Sequence, residues 1–172
     1  MRKVFGLVLG AWAALALSAC GFHPLYAVGT TPEGVSTYLN QVYVEPIPGR
    51  QGVHLRNQLM DALTPAGTPS AAAYRLMIKL EDLKEGLAIR TDTQITRYNY
   101  ALTAKYELRD SVSGEVLDHG TARAIAAYNV VGSQFATQSA ERDAQERAAR
   151  EVGEDIRLRL GIYFRDRFGS AG

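Results

Sequence analysis

The residue with the most definite chemistry is Cys20, the only cysteine among 172 residues. It follows Leu17-Ser18-Ala19 and precedes Gly21. An unpaired thiol in an exported chain is odd, because disulfides form in pairs in oxidising compartments. The oddity disappears if the sulfur carries lipid. Leu-Ser-Ala-Cys has the form of a bacterial lipobox, in which the cysteine is diacylated, the signal is cut before it, and the new amine is acylated too. Each buried methylene adds about 0.8 kcal/mol, and two or more chains make attachment stable where one does not. Cys20 is expected to be the membrane anchor.

The residues ahead of Cys20 fit that expectation. Arg2 and Lys3 precede an apolar run from Val4 to Leu17, the order of an export signal. At about 14 residues, against the roughly 20 that span a bilayer, the run is read as removed rather than retained. Residues 1–19 are therefore read as a signal peptide, 20–36 as a lipid-anchored tether, 37–164 as a single domain, and 165–172 as a frayed tail. Phe22, Leu25 and Tyr26 are apolar enough for part of the tether to dock on a surface.

Other candidate groups carry less. Asp118-His119 invites an acid–base reading, but neighbours on a strand point to opposite faces. No serine or second carboxylate completes a constellation. His23 and His54 read as surface polar residues. No His, Cys and Asp cluster has metal-ligand spacing, and no glycine-rich phosphate loop is present. Neither enzymatic activity nor a cofactor is expected. The whole chain carries +1; losing Arg2 and Lys3 leaves 17 basic against 18 acidic residues, or −1. So even a balance argues against a nucleic-acid partner.

The remaining pattern must build one domain of about 150 residues, enough for a core without disulfides. Residues 37–46 read as a first strand, ended by Pro46 and Pro48. Residues 51–63 switch to helical spacing through Leu55, Leu59 and Leu63. Residues 73–90 return to alternation through Tyr74, Leu76, Ile78 and Leu80. Residues 96–109 give the cleanest pattern: Tyr98, Tyr100, Leu102, Ala104, Tyr106 and Leu108 on one face, Arg97, Asn99, Thr103, Lys105, Glu107 and Arg109 on the other. Such alternation describes a sheet with one packed and one wet face. Asp110 to Gly114 turns the chain into a strand over 115–131, where alanines on both sides leave the buried face open and Gly120 suggests a bulge. Residues 137–160 read as a charged helix with a narrow seam of Ala140, Ala144, Ala148, Val152, Ile156 and Leu160.

In this order the chain resembles the lipopolysaccharide-assembly lipoprotein family, LptE. The resemblance rests on Cys20-Gly21-Phe22-His23-Pro24-Leu25-Tyr26, on Gly120-Thr121-Ala122-Arg123 through Tyr128-Asn129-Val130-Val131, and on Glu141-Arg142-Asp143-Ala144 through Arg147. It implies an α+β fold with two helices on one face of a four-stranded, mostly antiparallel sheet in β-α-β-β-β-α order. It further implies an outer-membrane address, a seat as a plug in the β-barrel LptD, and contact with lipopolysaccharide phosphates through basic residues. The family's basic position at the hairpin tip matches Arg90; a second, at the start of the last helix, falls near the neutral Gln138. Arg97, Lys105 and Arg123 would take its place if they cluster on the sheet. A reading of another class is a free-standing periplasmic lipoprotein holding a lipid or glycan between sheet and helices.

Overall fold

The computed structural model describes residues 32–168, apart from residues 66, 68, 70, 89–94 and 131. The element order is α1 (Pro32–Leu39), β1 (Val42–Val44), α2 (Gly49–Leu63), β2 (Tyr74–Ala88), β3 (Ile95–Asp110), β4 (Val116–Asn129) and α3 (Gln134–Phe168). The four strands lie in the order β1-β2-β3-β4. β1 runs parallel to β2, and the two long pairings are antiparallel. The fold is the expected α+β class, with one helix more than the sequence pattern implied.

β3 governs the layering. Its inward row, Tyr100, Leu102, Ala104, Tyr106 and Leu108, is buried, as the period-two pattern predicts. The register opposes it to Ala126, Ala124, Ala122, Gly120 and Asp118 of β4. This settles the face that the alanine-rich strand left open: Ala122, Ala124, Ala126 and Tyr128 are buried, and Ile125 is 54% exposed. Against this face lies α3, whose 35 residues would span about 52 Å, close to the roughly 53 Å of the 16-residue β3. Ala144, Ala148, Val152, Ile156, Leu160 and Phe164 form its buried seam at four-residue spacing. α2 adds Leu55, Leu59 and Leu63 to the same core. The Arg56 Nε donates to the Val44 carbonyl at 3.1 Å, tying α2 to β1.

Three local expectations are corrected. Residues 37–46 do not make one strand: α1 ends at Leu39, and only Val42–Val44 pair with β2. Tyr38 stacks on Phe168 and Phe164 with ring centroids 4.3 and 5.7 Å apart. That tertiary contact outweighs the local strand preference of aromatic and β-branched residues. The same stack shows where the last helix stops. Residues 165–168, read as part of a frayed tail, are its final helical turn. Gly120 is not a bulge, because the register runs unbroken through it and shifts instead between Leu108 and Arg109. A Cβ there would lie 2.7 Å from the Tyr106 hydroxyl, so the glycine makes room for that buried ring.

Candidate functional site

Among the described residues no helix covers the sheet's second face, and the register lays it out as rows across β2, β3 and β4. From the β1 end upward these are Met77–Glu107–His119, Lys79–Lys105–Thr121, Glu81–Thr103–Arg123, Leu83–Ala101–Ile125, Glu85–Asn99–Ala127 and Leu87–Arg97–Asn129. Below them Arg75 stands opposite Arg109. Successive rows are about 7 Å apart. β2 and β3 thus oppose like charges twice, Arg75 to Arg109 and Lys79 to Lys105, an arrangement that is unfavourable in a sheet.

Local carboxylates answer part of that charge. Arg75 pairs with Glu45 at 3.5 Å, Arg109 with Glu107 at 2.5 Å, and Lys105 with Glu81 at 2.6 Å. The hydrogen bond from Arg109 is the main reason the Glu107 carboxyl titrates below its ordinary range; the fields of Lys79 and His119 add to it. Lys79 and Arg123 make no ion pair among the described residues. A cleft of about 520 Å³ opens here, lined by Met77, Lys79, Lys105, Glu107, Arg109 and His119 among others. Above it, the Leu83–Ala101–Ile125 row is aliphatic: Leu83 and Ile125 are 53% and 54% exposed, and Ala101 between them is 8% exposed.

The helix side is built differently. Tyr106 is buried, and its hydroxyl reaches the Asp118 carboxylate at 3.5 Å. Burial, then the Asp118 charge, pushes its phenol up to about 12. Beyond the core, Lys84 Nζ donates to Glu141 on α3 at 2.9 Å and stands 4.8 and 5.5 Å from the stacked rings of Tyr98 and Tyr128. This clasp joins the long hairpin to the start of α3.

The residues singled out from the sequence divide accordingly. Cys20 and Arg90 lie outside the described residues. Lys105 and Arg123 fall in adjacent rows on neighbouring strands, as diagonal neighbours with Cβ atoms about 7–8 Å apart. Arg97 stands three rows from Arg123, about 20 Å up the sheet, and does not join them. Lys79, directly across from Lys105, was not singled out. Its place on the wet face was legible from alternation, but its partner needs the register. Asp118 and His119 diverge, one toward Tyr106 and one into the row with Glu107. Among the described residues no group of three or more His, Cys, Asp or Glu side chains converges as a metal site.

One packed face, one charged face that no described element covers, and a long last helix make a small α+β domain of a kind found among bacterial lipoproteins. A candidate lipoprotein from Caulobacter crescentus is similar at 26% identity and a TM-score of 0.65, over 77% of this chain and 96% of its own. A minor lipoprotein from Acinetobacter baumannii shares the fold at 18% identity and a TM-score of 0.57, over 70% and 90%. Lipoprotein B from Nitrosomonas europaea does so at 17% identity and a TM-score of 0.52, over 76% and 84%. No curated protein matches. The chain belongs to the lipopolysaccharide-assembly family LptE, whose model matches residues 39–160.

Proposed function

We propose that the protein is an outer-membrane lipoprotein, anchored through Cys20, that seats in the LptD β-barrel and supports delivery of lipopolysaccharide to the outer leaflet. Membership of the lipopolysaccharide-assembly family supports the process. The observation that supports the seat is the sheet face that no described element covers. The core is complete on the helix side, so the charged rows opposite are free to meet the polar lumen of a barrel. A plug in such a lumen needs a polar coat around a self-sufficient core, and the outer face of α3 adds to that coat with Arg142, Asp143, Glu146, Arg147 and Arg150. Direct contact with lipopolysaccharide phosphates falls to Arg90 and to the neighbouring Lys105 and Arg123, while Arg97, three rows away, is set apart from them; guanidinium and ammonium groups suit phosphate in charge and geometry.

Affinity purification of the full chain from gently solubilised membranes tests this. The expected result is a β-barrel partner at equal stoichiometry, together with a mature N-terminus whose mass includes acyl chains on Cys20. A monomer carrying a bound ligand would favour the free-standing lipid- or glycan-binding reading, and a bare thiol would remove the anchor.

A further inference from the structure

Among the described residues the sheet has two open edges, and they are guarded differently. β1 pairs only with Tyr74–Leu76, so from Lys79 to Ala88 strand β2 is bonded on one side alone. Lys79, Glu81, Asp82, Lys84 and Glu85 crowd that edge with charge, a common guard against unwanted strand pairing. β4 is the other edge, and nothing comparable protects it. From Gly120 to Asn129 its only charged residue is Arg123; the stretch holds no proline, and its register to β3 is unbroken. The outward backbone groups can be identified as well. Arg147 Nη2 on α3 donates to the Ala127 carbonyl at 3.0 Å, which marks Ala127 as facing out. Bonded and non-bonded residues alternate along an antiparallel pair. Thr121, Arg123 and Ile125 therefore turn their N–H and C=O groups outward too. Where this edge begins, it meets a cleft of about 620 Å³ between β4 and the end of α3. Asp118, Tyr106 and Tyr163 line it, with Arg159, Arg167 and the exposed Ile162. Asp155 already holds Arg159 at 2.8 Å, whereas Asp118 makes no ion pair among the described residues. The Tyr163 hydroxyl is buried without a hydrogen-bond partner among them.

We propose that β4 accepts an extended segment of another protein as a fifth strand, and that the cleft takes a lysine or arginine from it. Backbone bonds to Thr121, Arg123 and Ile125 supply affinity, and the cleft supplies specificity. Charge complementarity selects the occupant. Asp118 stands on the edge strand itself, in register with an added strand, and carries the charge that a basic side chain answers; Arg167 lies on the last turn of α3. A second copy of the chain does not fit. Paired antiparallel about a two-fold axis, β4 would set its inner row against itself, and Gly120, Ala122, Ala124, Ala126 and Tyr128 offer Asp118 no base. The wall of a closed barrel does not fit either, because its strands are already paired on both sides. The occupant is a loop or terminal segment, and the inference stands apart from the barrel seat.

The test is a fluorescence-anisotropy titration of the full-chain protein in neutral detergent with a short labelled peptide. Threonine and valine alternate along the peptide, and a lysine replaces the valine that comes opposite Asp118. Control peptides carry glutamate or valine in place of that lysine, and two more are N-methylated on alternate amides. The lysine peptide is expected to bind, and the glutamate form to bind at least about 10-fold more weakly. Methylating the amides that face β4 should abolish binding, whereas methylating the alternate set should leave it. Asp118→Asn should weaken the lysine peptide about 10-fold and leave the valine peptide unchanged. Thr121→Pro removes one outward N–H at an edge position, where proline is tolerated. It should abolish binding of every peptide while the melting curve moves little. Glu85→Gln, on the charged β2 edge, should change nothing.

Absence of binding by every peptide, or equal binding of the two methylated sets, overturns the strand addition. A glutamate peptide that binds as tightly as the lysine one overturns the proposal as well, since the counter-charge would then not be Asp118. Concentration-dependent dimerisation that Thr121→Pro abolishes would make the occupant a second copy and sink it too. If Thr121→Pro fails to fold, the methylated peptides decide the matter on the wild-type protein. None of these measurements involves the barrel or lipopolysaccharide, so their failure leaves the assembly role standing.

Discussion

The two faces of β3 are made from alternate residues of one 16-residue strand, yet they answer to different physics. On the helix side, Tyr100, Leu102, Ala104, Tyr106 and Leu108 are held by burial, where every methylene matters and the energy does not depend on salt. On the far side, Thr103, Lys105, Glu107 and Arg109 are arranged in rows whose neighbours include like charges. Such pairs are worth tenths of a kilocalorie in water and are screened by salt. Stability lives on the first face, and the second contributes little to it. Substitutions on each should therefore move different observables.

The largest effect is expected inside. Leu102 is fully buried at the middle of the core, and Leu102→Ala removes its side chain from the packing between sheet and helices. The loss should be about 2–5 kcal/mol, read as a fall in the urea midpoint with an unchanged slope. A change below about 1 kcal/mol would mean that the inner face is looser than its burial implies.

A second loss on the same face appears at alkaline pH. Burial, with Asp82 next in size for Tyr100 and Asp118 for Tyr106, pushes both phenols up to about 12. Unfolded tyrosines lose their protons near pH 10. Between pH 10 and 12 the unfolded chain therefore binds fewer protons than the folded one, and stability must fall as pH rises. At 1.36 kcal/mol per unit the full loss is about 2–3 kcal/mol for each tyrosine, complete only near pH 12. The Tyr100 hydroxyl has no hydrogen-bond partner among the described residues, so Tyr100→Phe should cost little at neutral pH. Urea titrations from pH 9 to 11 should show a shallower decline in that variant than in the wild type. An identical decline would place the alkaline sensitivity elsewhere.

How much of this was readable beforehand depends on whether one strand or two were needed. The inward row of β3 and the seam of α3 follow from a single period each; the structure buries Tyr100 to Leu108 and Ala144 to Leu160 as expected, leaves Tyr98 and Ala140 partly buried at the ends, and extends the seam to Phe164. The buried face of β4 does not, because alanine serves equally well on both sides; Ala122, Ala124 and Ala126 are inward because they lie across from Ala104, Leu102 and Tyr100. α1 was missed for a similar reason. Val35, Thr37 and Tyr38 favour a strand locally, and the rings of Phe164 and Phe168, well over a hundred residues away, stack on Tyr38 and help hold the segment as a helix. The site divides in the same way. Lys105 and Arg123 could be placed on a wet face from alternation, whereas their diagonal contact, the isolation of Arg97 and the partnership with Lys79 all depend on register.

Gly120 belongs to the inner face, where it lets the Tyr106 side chain occupy space that any Cβ would take. Tyr106 lies directly across from it, and the ring is 3% exposed, with little freedom to retreat. Gly120→Ala should therefore destabilise by about 1–3 kcal/mol, as overpacking does. A glycine that merely loosened a bulge would give the opposite sign, because alanine costs less chain entropy. Thermal melts of this one variant therefore decide between steric relief and a bulge.

The smallest expected effect is the most informative about the outer face. Lys79 is pushed by Lys105, directly opposite, and pulled by Glu107, on the diagonal. The opposed Cβ atoms are about 5 Å apart and the diagonal ones about 7–8 Å, so repulsion should win slightly even though Lys105 leans toward Glu81. Lys79→Gln should then stabilise the protein by about 0.2–0.5 kcal/mol in 10 mM salt, where the Debye length is about 30 Å. The gain should vanish in 1 M salt, where it is about 3 Å. In the Lys105→Gln background the same substitution should lose its benefit, since the opposing charge is gone. A stabilisation that survives high salt would point to packing rather than charge. A destabilisation at low salt would mean that Glu107 already balances Lys79, and that the face holds no surplus charge for a phosphate to answer.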